Sequence, residues 1–171
     1  MTVSHQLALD VVRRHQSTIP VDVWAIARDL GIEVRDVPMP DHISGKIKNL
    51  GGSPEHFSIW LNASHHINRK RFTLAHELAH YLLHRNEFVE IVDNTMFRQD
   101  GGTLDSAKER QANQLAANIL MPYPRIKEHR RQTRADLNDL ARIFGVSLDA
   151  MRIRMEQARP SRRYELEQEE D

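Results

Sequence analysis

Two histidines four residues apart, with a glutamate directly after the first, make His76-Glu77-Leu78-Ala79-His80 an H-E-x-x-H arrangement. On an α-helix, positions four apart share a face and lie about one turn apart. Two imidazoles so placed can converge on one metal ion, leaving Glu77 beside the open coordination position. Zinc suits such nitrogen and oxygen ligands and acidifies water, so that Glu77 could finish the deprotonation as general base. The chain has no cysteine, so thiolate ligation and disulfides are excluded. Any transition metal must be held by imidazole and carboxylate.

The motif alone is a weak signal in a chain with ten histidines. Its helix strengthens it. At about 100° per residue, Thr73, His76, Glu77, His80 and His84 gather on one polar face. Phe72, Ala75, Ala79, Leu82 and Leu83 form an apolar stripe that Leu74 and Leu78 widen. A helix this apolar is buried, and burying two histidines and a glutamate without partners would be costly. A bound metal removes that cost.

A third protein ligand is needed. His84 continues the spacing, but on a continuous helix it lies about 12 Å along the axis from His76, too far for one ion. In the next helical stretch, Glu109, Ala112, Asn113, Ala116 and Leu120 share a face. The small residues Ala112, Ala116 and Ala117 permit a close helix–helix approach that would bring Glu109 to the metal. Asn113, one turn on, could orient a ligand from behind. Spacing leaves Glu109 open between a metal ligand and a solvated helix charge. For the tetrahedral intermediate, His84, Tyr81, Tyr123 or the His65-His66 pair could supply a hydrogen bond, and the sequence does not choose among them.

The elements that must position these groups follow from periodicity. Helices are expected over residues 3–16 and 21–30, the second opened by Pro20 and ended by Gly31. Residues 32–37 alternate apolar and charged, as a half-buried strand does. After a Pro38-Met39-Pro40-Asp41 turn, ISGKIKNL and HFSIWLN predict two more strands around a GGSPE hairpin loop. If HFSIWLN lay at the sheet edge, it could hold an extended substrate by strand addition. Helices follow over 68–84, 105–120, 123–131, 134–144 and 147–158, with a linker over 85–104 that contains FVEIVD. Met121-Pro122-Tyr123-Pro124 breaks the helical run.

The 171 residues are 40% hydrophobic and 28% charged, which fits a globular rather than a disordered chain. Formal charge is zero overall but uneven. Residues 125–163 carry eleven bases against five acids, and the last eight residues carry five acids and no base. The basic stretch could touch nucleic acid or an acidic partner, or form a solvated helical surface. The N-terminus has no apolar signal core, and no stretch reaches the length of a membrane span, so a cytoplasmic location is expected.

The succession TLAHELAHYLLH, ERQANQLAANILMP and DLNDLARIFGVSLDAMRIRM, preceded by IPVDVWAIARDLGIEV and an ISGKI strand, closely resembles the ImmA/IrrE family of zinc metallopeptidases. The resemblance covers roughly residues 18–156. The family's E-x-x-A-N helix ending in Met-Pro corresponds here to Glu109, Ala112, Asn113, Met121 and Pro122, which implies Glu109 as third metal ligand. Gln111 departs from the acid often expected there, without touching the metal. The resemblance implies an α+β fold: a mostly helical zincin-like domain with a small three-stranded, largely antiparallel sheet over residues 1–124. A helix-turn-helix-like unit over 125–160 and an acidic tail over 161–171, expected to be disordered, would follow. It further implies a zinc endopeptidase that cuts a helix-turn-helix repressor or antitoxin in phage, mobile-element, stress or toxin–antitoxin regulation. Two other functions fit the same residues. The Gly145-Val146-Ser147 turn, with Arg142, Arg152 and Arg154 nearby, could belong to a DNA-binding regulator. Alternatively, a metal-holding protein could sequester a repressor without cutting it.

Overall fold

The computed structural model describes residues 5–52, 56–86, 90–94 and 106–157. Two short helices, α1 (His5–His15) and α2 (Val23–Asp29), open the chain. The Asp22 side chain accepts a hydrogen bond from the Ala25 amide and so fixes the start of α2. Gly31, at φ +73°, ends that helix, and the Ile32 amide returns to the Ala27 carbonyl. Strands β1 (Glu33–Val37), β2 (Ile43–Gly51) and β3 (His56–Asn62) follow, then the long α3 (Ile67–His84), β4 (Glu90–Asn94) and α4 (Ser106–Leu120). The chain continues through α5 (Tyr123–Thr133), α6 (Leu137–Phe144) and α7 (Leu148–Gln157). The acidic end expected at 161–171 lies outside the described residues.

The fold is α+β, as expected, with a zincin-like arrangement of helices against a small sheet. That sheet has four strands in the order β1-β3-β2-β4, one more than the sequence indicated. The extra strand, Glu90–Asn94, lies inside the segment that the sequence alone presents as a linker. β4 pairs antiparallel with β2, and Lys46 and Lys48 both meet Glu90 across that pair. The β2–β3 pair is antiparallel and the β1–β3 pair parallel. HFSIWLN is therefore an interior strand, flanked by β1 and β2, and offers no free edge for a substrate strand. Its residues were already apolar or small on both faces, and the interior of the strand is buried on both.

One buried cluster runs from Ala8 and Val11 through Ile26, Ile47, Ile59, Leu61, Leu74, Leu78 and Ile119 to Ile126, Leu140, Phe144 and Met151. Helix α3 crosses its middle. Gly45 of β2 lets α3 come this close, because a Cβ there would stand 2.6 Å from Thr73 Cγ2 and 2.9 Å from the Trp60 carbonyl oxygen. The carbonyl belongs to a paired strand and cannot easily yield. Gly45→Ala is therefore expected to cost about 1–3 kcal/mol of stability by overpacking, read as a lower urea midpoint. An unchanged midpoint would mean that α3 can shift off the sheet.

α6 and α7 form a compact turn. Asp136 and Asp139 make a reciprocal capping box at the start of α6, and Gly145 at φ +63° closes its end. Of the arginines near this turn, Arg154 is buried and donates to the Met121 carbonyl. Arg142 and Arg152 face solvent, each beside an aspartate, Asp139 and Asp149.

Candidate metal centre

Helix α3 carries Arg71, Leu74, Leu78 and Leu82 in the core and turns His76, Glu77 and His80 to its other side, where all three are still buried. α4 packs along this side more extensively than any other pair of described helices. Ala112 and Ala116, both fully buried, leave room for the approach. The result is the expected convergence. Glu109 reaches across from α4, with its two carboxylate oxygens 3.3 Å from His76 Nε2 and 3.1 Å from His80 Nε2. The two Nε2 atoms stand 3.0 Å apart.

Among the described residues, His76, His80 and Glu109 are the cluster whose ligand atoms all lie close enough, within 4.8 Å, to share one ion. Ligand atoms each about 2.1 Å from one ion would stand from about 3.0 Å apart at octahedral angles to about 3.4 Å apart at tetrahedral ones. The spacings match. Two imidazole nitrogens aimed at each other and at a carboxylate are also a poor set of mutual hydrogen-bond partners, whereas all three can donate lone pairs to a cation. The residues present therefore fit a divalent metal ion.

Hydrogen bonds from His76 and then His80 hold the Glu109 carboxyl far below the usual carboxylate range, while partial burial works against them. Burial, the largest influence, pulls the His80 imidazole below its ordinary value, and Glu109 opposes this. Both shifts favour the forms that bind a metal: carboxylate and neutral imidazole. Protons and metal compete for the imidazole nitrogens. Metal is expected to be retained at neutral pH and released as the pH falls to about 5, below the ordinary imidazole value of about 6.5. Metal content after dialysis checks this. Full retention at about pH 3 would show that the histidines are not ligands.

The other sequence candidates fall in different places. His84 is buried beside His80, with ring centroids 5.6 Å apart, on the side of α3 that carries the triad. Tyr81 points elsewhere and packs edge-on against Phe57 at 5.0 Å. His65 approaches the Asp41 carbonyl, and His66 caps the start of α3 by accepting from the Asn68 amide. Tyr123 opens α5, within reach of the Lys127 ammonium. Asn113 is half-buried one turn beyond Glu109, and its amide makes no hydrogen bond to the triad among the described residues. Nδ1 of both His76 and His80 is buried without a hydrogen-bond partner among those residues.

Sequence reasoning passed over Arg71. Its guanidinium donates to the carbonyls of Val21 and Gly145, each at 2.9 Å, and more distantly to that of Phe144 at 3.4 Å. Asn68, one turn earlier, donates to the Val146 carbonyl. Together they fasten the first turns of the histidine-bearing helix to the α6–α7 turn and to the loop before α2. A signal was present: Arg71, Ala75, Leu78 and Leu82 follow helical spacing, so a cation sits in an apolar stripe.

The sequence is similar to known proteins. The peptidase family model described as the IrrE N-terminal-like domain matches residues 27–156, about three quarters of the chain. The radiation response metalloprotease IrrE of Deinococcus radiodurans is 37% identical over 75 residues, covering 44% of this chain and 22% of that protein. The chain thus spans about a fifth of the length of this curated relative. The family match takes in both helices of the triad, the sheet beneath them and the α6–α7 turn to which they are tied, and on that extent the chain belongs to the IrrE N-terminal-like peptidase family.

Proposed function

We propose that this protein is a zinc-dependent endopeptidase that acts in the cytoplasm on a partner helix-turn-helix regulator. The observation that carries the reading is the convergence of His76 Nε2, His80 Nε2 and the Glu109 carboxylate, with Glu77 buried on the same helical turn. The metal would be held by these three side chains, and when bound it supplies Lewis acidity toward water and a peptide carbonyl. Glu77 then takes the proton of the attacking water and returns it to the leaving amine. Glu77 is fully buried, next in sequence to His76 and three residues before His80, which places it beside the metal site. His84, beside His80, is the best placed of the sequence candidates to donate to the developing oxyanion. Two imidazoles and one carboxylate are the ligand set of hydrolytic zinc sites; iron takes the same set, and metal analysis of the purified protein separates the two.

The family and the radiation response metalloprotease support peptide hydrolysis in a regulatory setting. The test is direct. Zinc-loaded protein is incubated with helix-turn-helix repressors encoded beside it, and one discrete cut is expected, stopped by a chelator and restored by zinc. Repressors left whole by metal-loaded protein would contradict the reading. Repressors inactivated but uncut would favour sequestration.

A further inference from the structure

A groove of about 820 Å³ opens between the start of α3, the middle of α4 and the exposed side of α7. Its wall begins one helical turn from the triad on both helices. Phe72 lies four residues before His76, and Asn113 four after Glu109. The floor is apolar, from Phe72, Ala117 and Ala150, and Ile153 on α7 is 54% exposed along it.

The charge in this groove is one-sided. Arg154 is 8% exposed, yet among the described residues it meets no carboxylate, and its Nε donates to the Met121 carbonyl. Arg69, on the opposite wall, donates to the Ser44 hydroxyl and likewise meets no carboxylate among the described residues. Asp149 is the one acid among the lining residues, and its carboxylate is taken up by Arg152. A buried cation without a carboxylate is costly, and a ligand acid would offset that cost.

We infer that this groove is a specificity subsite for a partner polypeptide segment that pairs bulky apolar side chains with an acidic one, its carboxylate meeting Arg154 and Arg69. The inference rests on the peptidase reading for its purpose, since a segment seated here would place neighbouring residues one turn away, at the triad. The apolar side chains cover Phe72 and Ile153. The carboxylate supplies the counter-charge that the groove lacks.

The probe is a pair of acetylated, amidated hexapeptides of alternating leucine and glutamate, and of leucine and glutamine. Each is titrated into isotope-labelled, zinc-loaded full-length protein and followed by backbone amide shifts. The acidic peptide is expected to move the amides of Phe72, Ala117 and Ile153 and to bind about five- to tenfold more tightly than its glutamine twin. Arg69→Gln should erase most of that preference, and Ile153→Asp should weaken both peptides. Arg69 and Ile153 are exposed, so these variants keep the fold even if Arg154→Gln loses it. Equal binding of the two peptides, or shifts confined to other surfaces, would overturn the inference. So would groove shifts on concentrating the protein alone, which would assign the surface to a second copy. Hydrolysis is not read in this experiment. Binding by a protein that never cuts would preserve the groove and defeat the peptidase reading, and cutting without acidic preference would do the reverse.

Discussion

Glu77→Gln is expected to lower peptide hydrolysis by at least about 10²–10⁴-fold while zinc content and thermal midpoint stay near wild type. Glutamine has the same shape and fills the same fully buried volume, so packing around α3 is preserved. It cannot accept a proton, and that is the one property the mechanism needs at this position. The three ligating side chains are different residues, so metal binding is untouched. Paired assays of zinc content and repressor cleavage separate the two effects. A Gln variant that cleaves at the wild-type rate would remove Glu77 from the mechanism. If it loses zinc as well, the residue holds the metal site together rather than moving protons.

The second large effect lies away from the chemistry. Arg71→Met is expected to destabilise the protein by about 3 kcal/mol, because it strips bonds from a cation to two buried carbonyls and one half-buried carbonyl. Methionine keeps most of the apolar stem, so the loss reports the guanidinium rather than a cavity. Burial pulls the Arg71 guanidinium below its ordinary value, and it still carries its charge at neutral pH. The desolvation that causes this shift is released in the variant, which keeps the net loss below the sum of the bonds. Urea unfolding measures it. Because the same bonds tie the histidine helix to the α6–α7 turn, zinc affinity should fall together with stability. A variant of unchanged stability would show that the apolar contacts of Phe144 and Val146 alone hold that turn in place.

How much of this was legible beforehand depends on which physics the sequence exposes. The H-E-x-x-H spacing fixes its own geometry, because four residues on a helix admit only one arrangement of the side chains. Glu109 was different. Spacing put it on the small-residue face of its helix, but only resemblance, and then the packing of α4 on α3, brought it against the histidines. The strand β4 was missed because five residues with a single apolar pair, Ile91-Val92, look like any linker until a partner strand is known. Whether β3 lies at an edge was open in the sequence because pairing order is a property of the whole sheet, and its apolar residues on both faces were the clue to an interior position. Arg71 was overlooked for a related reason. Its partners are backbone carbonyls some 50 and 74 residues away, and no side-chain pattern announces them. The Gly145-Val146-Ser147 turn, by contrast, was legible, because Gly145 ends α6 within its own turn.

The central claim is that His76, His80 and Glu109 hold one metal ion, and the most direct measurement is the metal content of purified protein by elemental analysis. Wild type, His80→Ala and Glu109→Ala are compared after loading with zinc and exhaustive dialysis at neutral pH. The account predicts about one zinc per chain in the wild type and little or none in either variant, with circular dichroism unchanged. Zinc that survives Glu109→Ala would place the third ligand elsewhere. A wild-type protein that holds no zinc after loading would contradict the account outright.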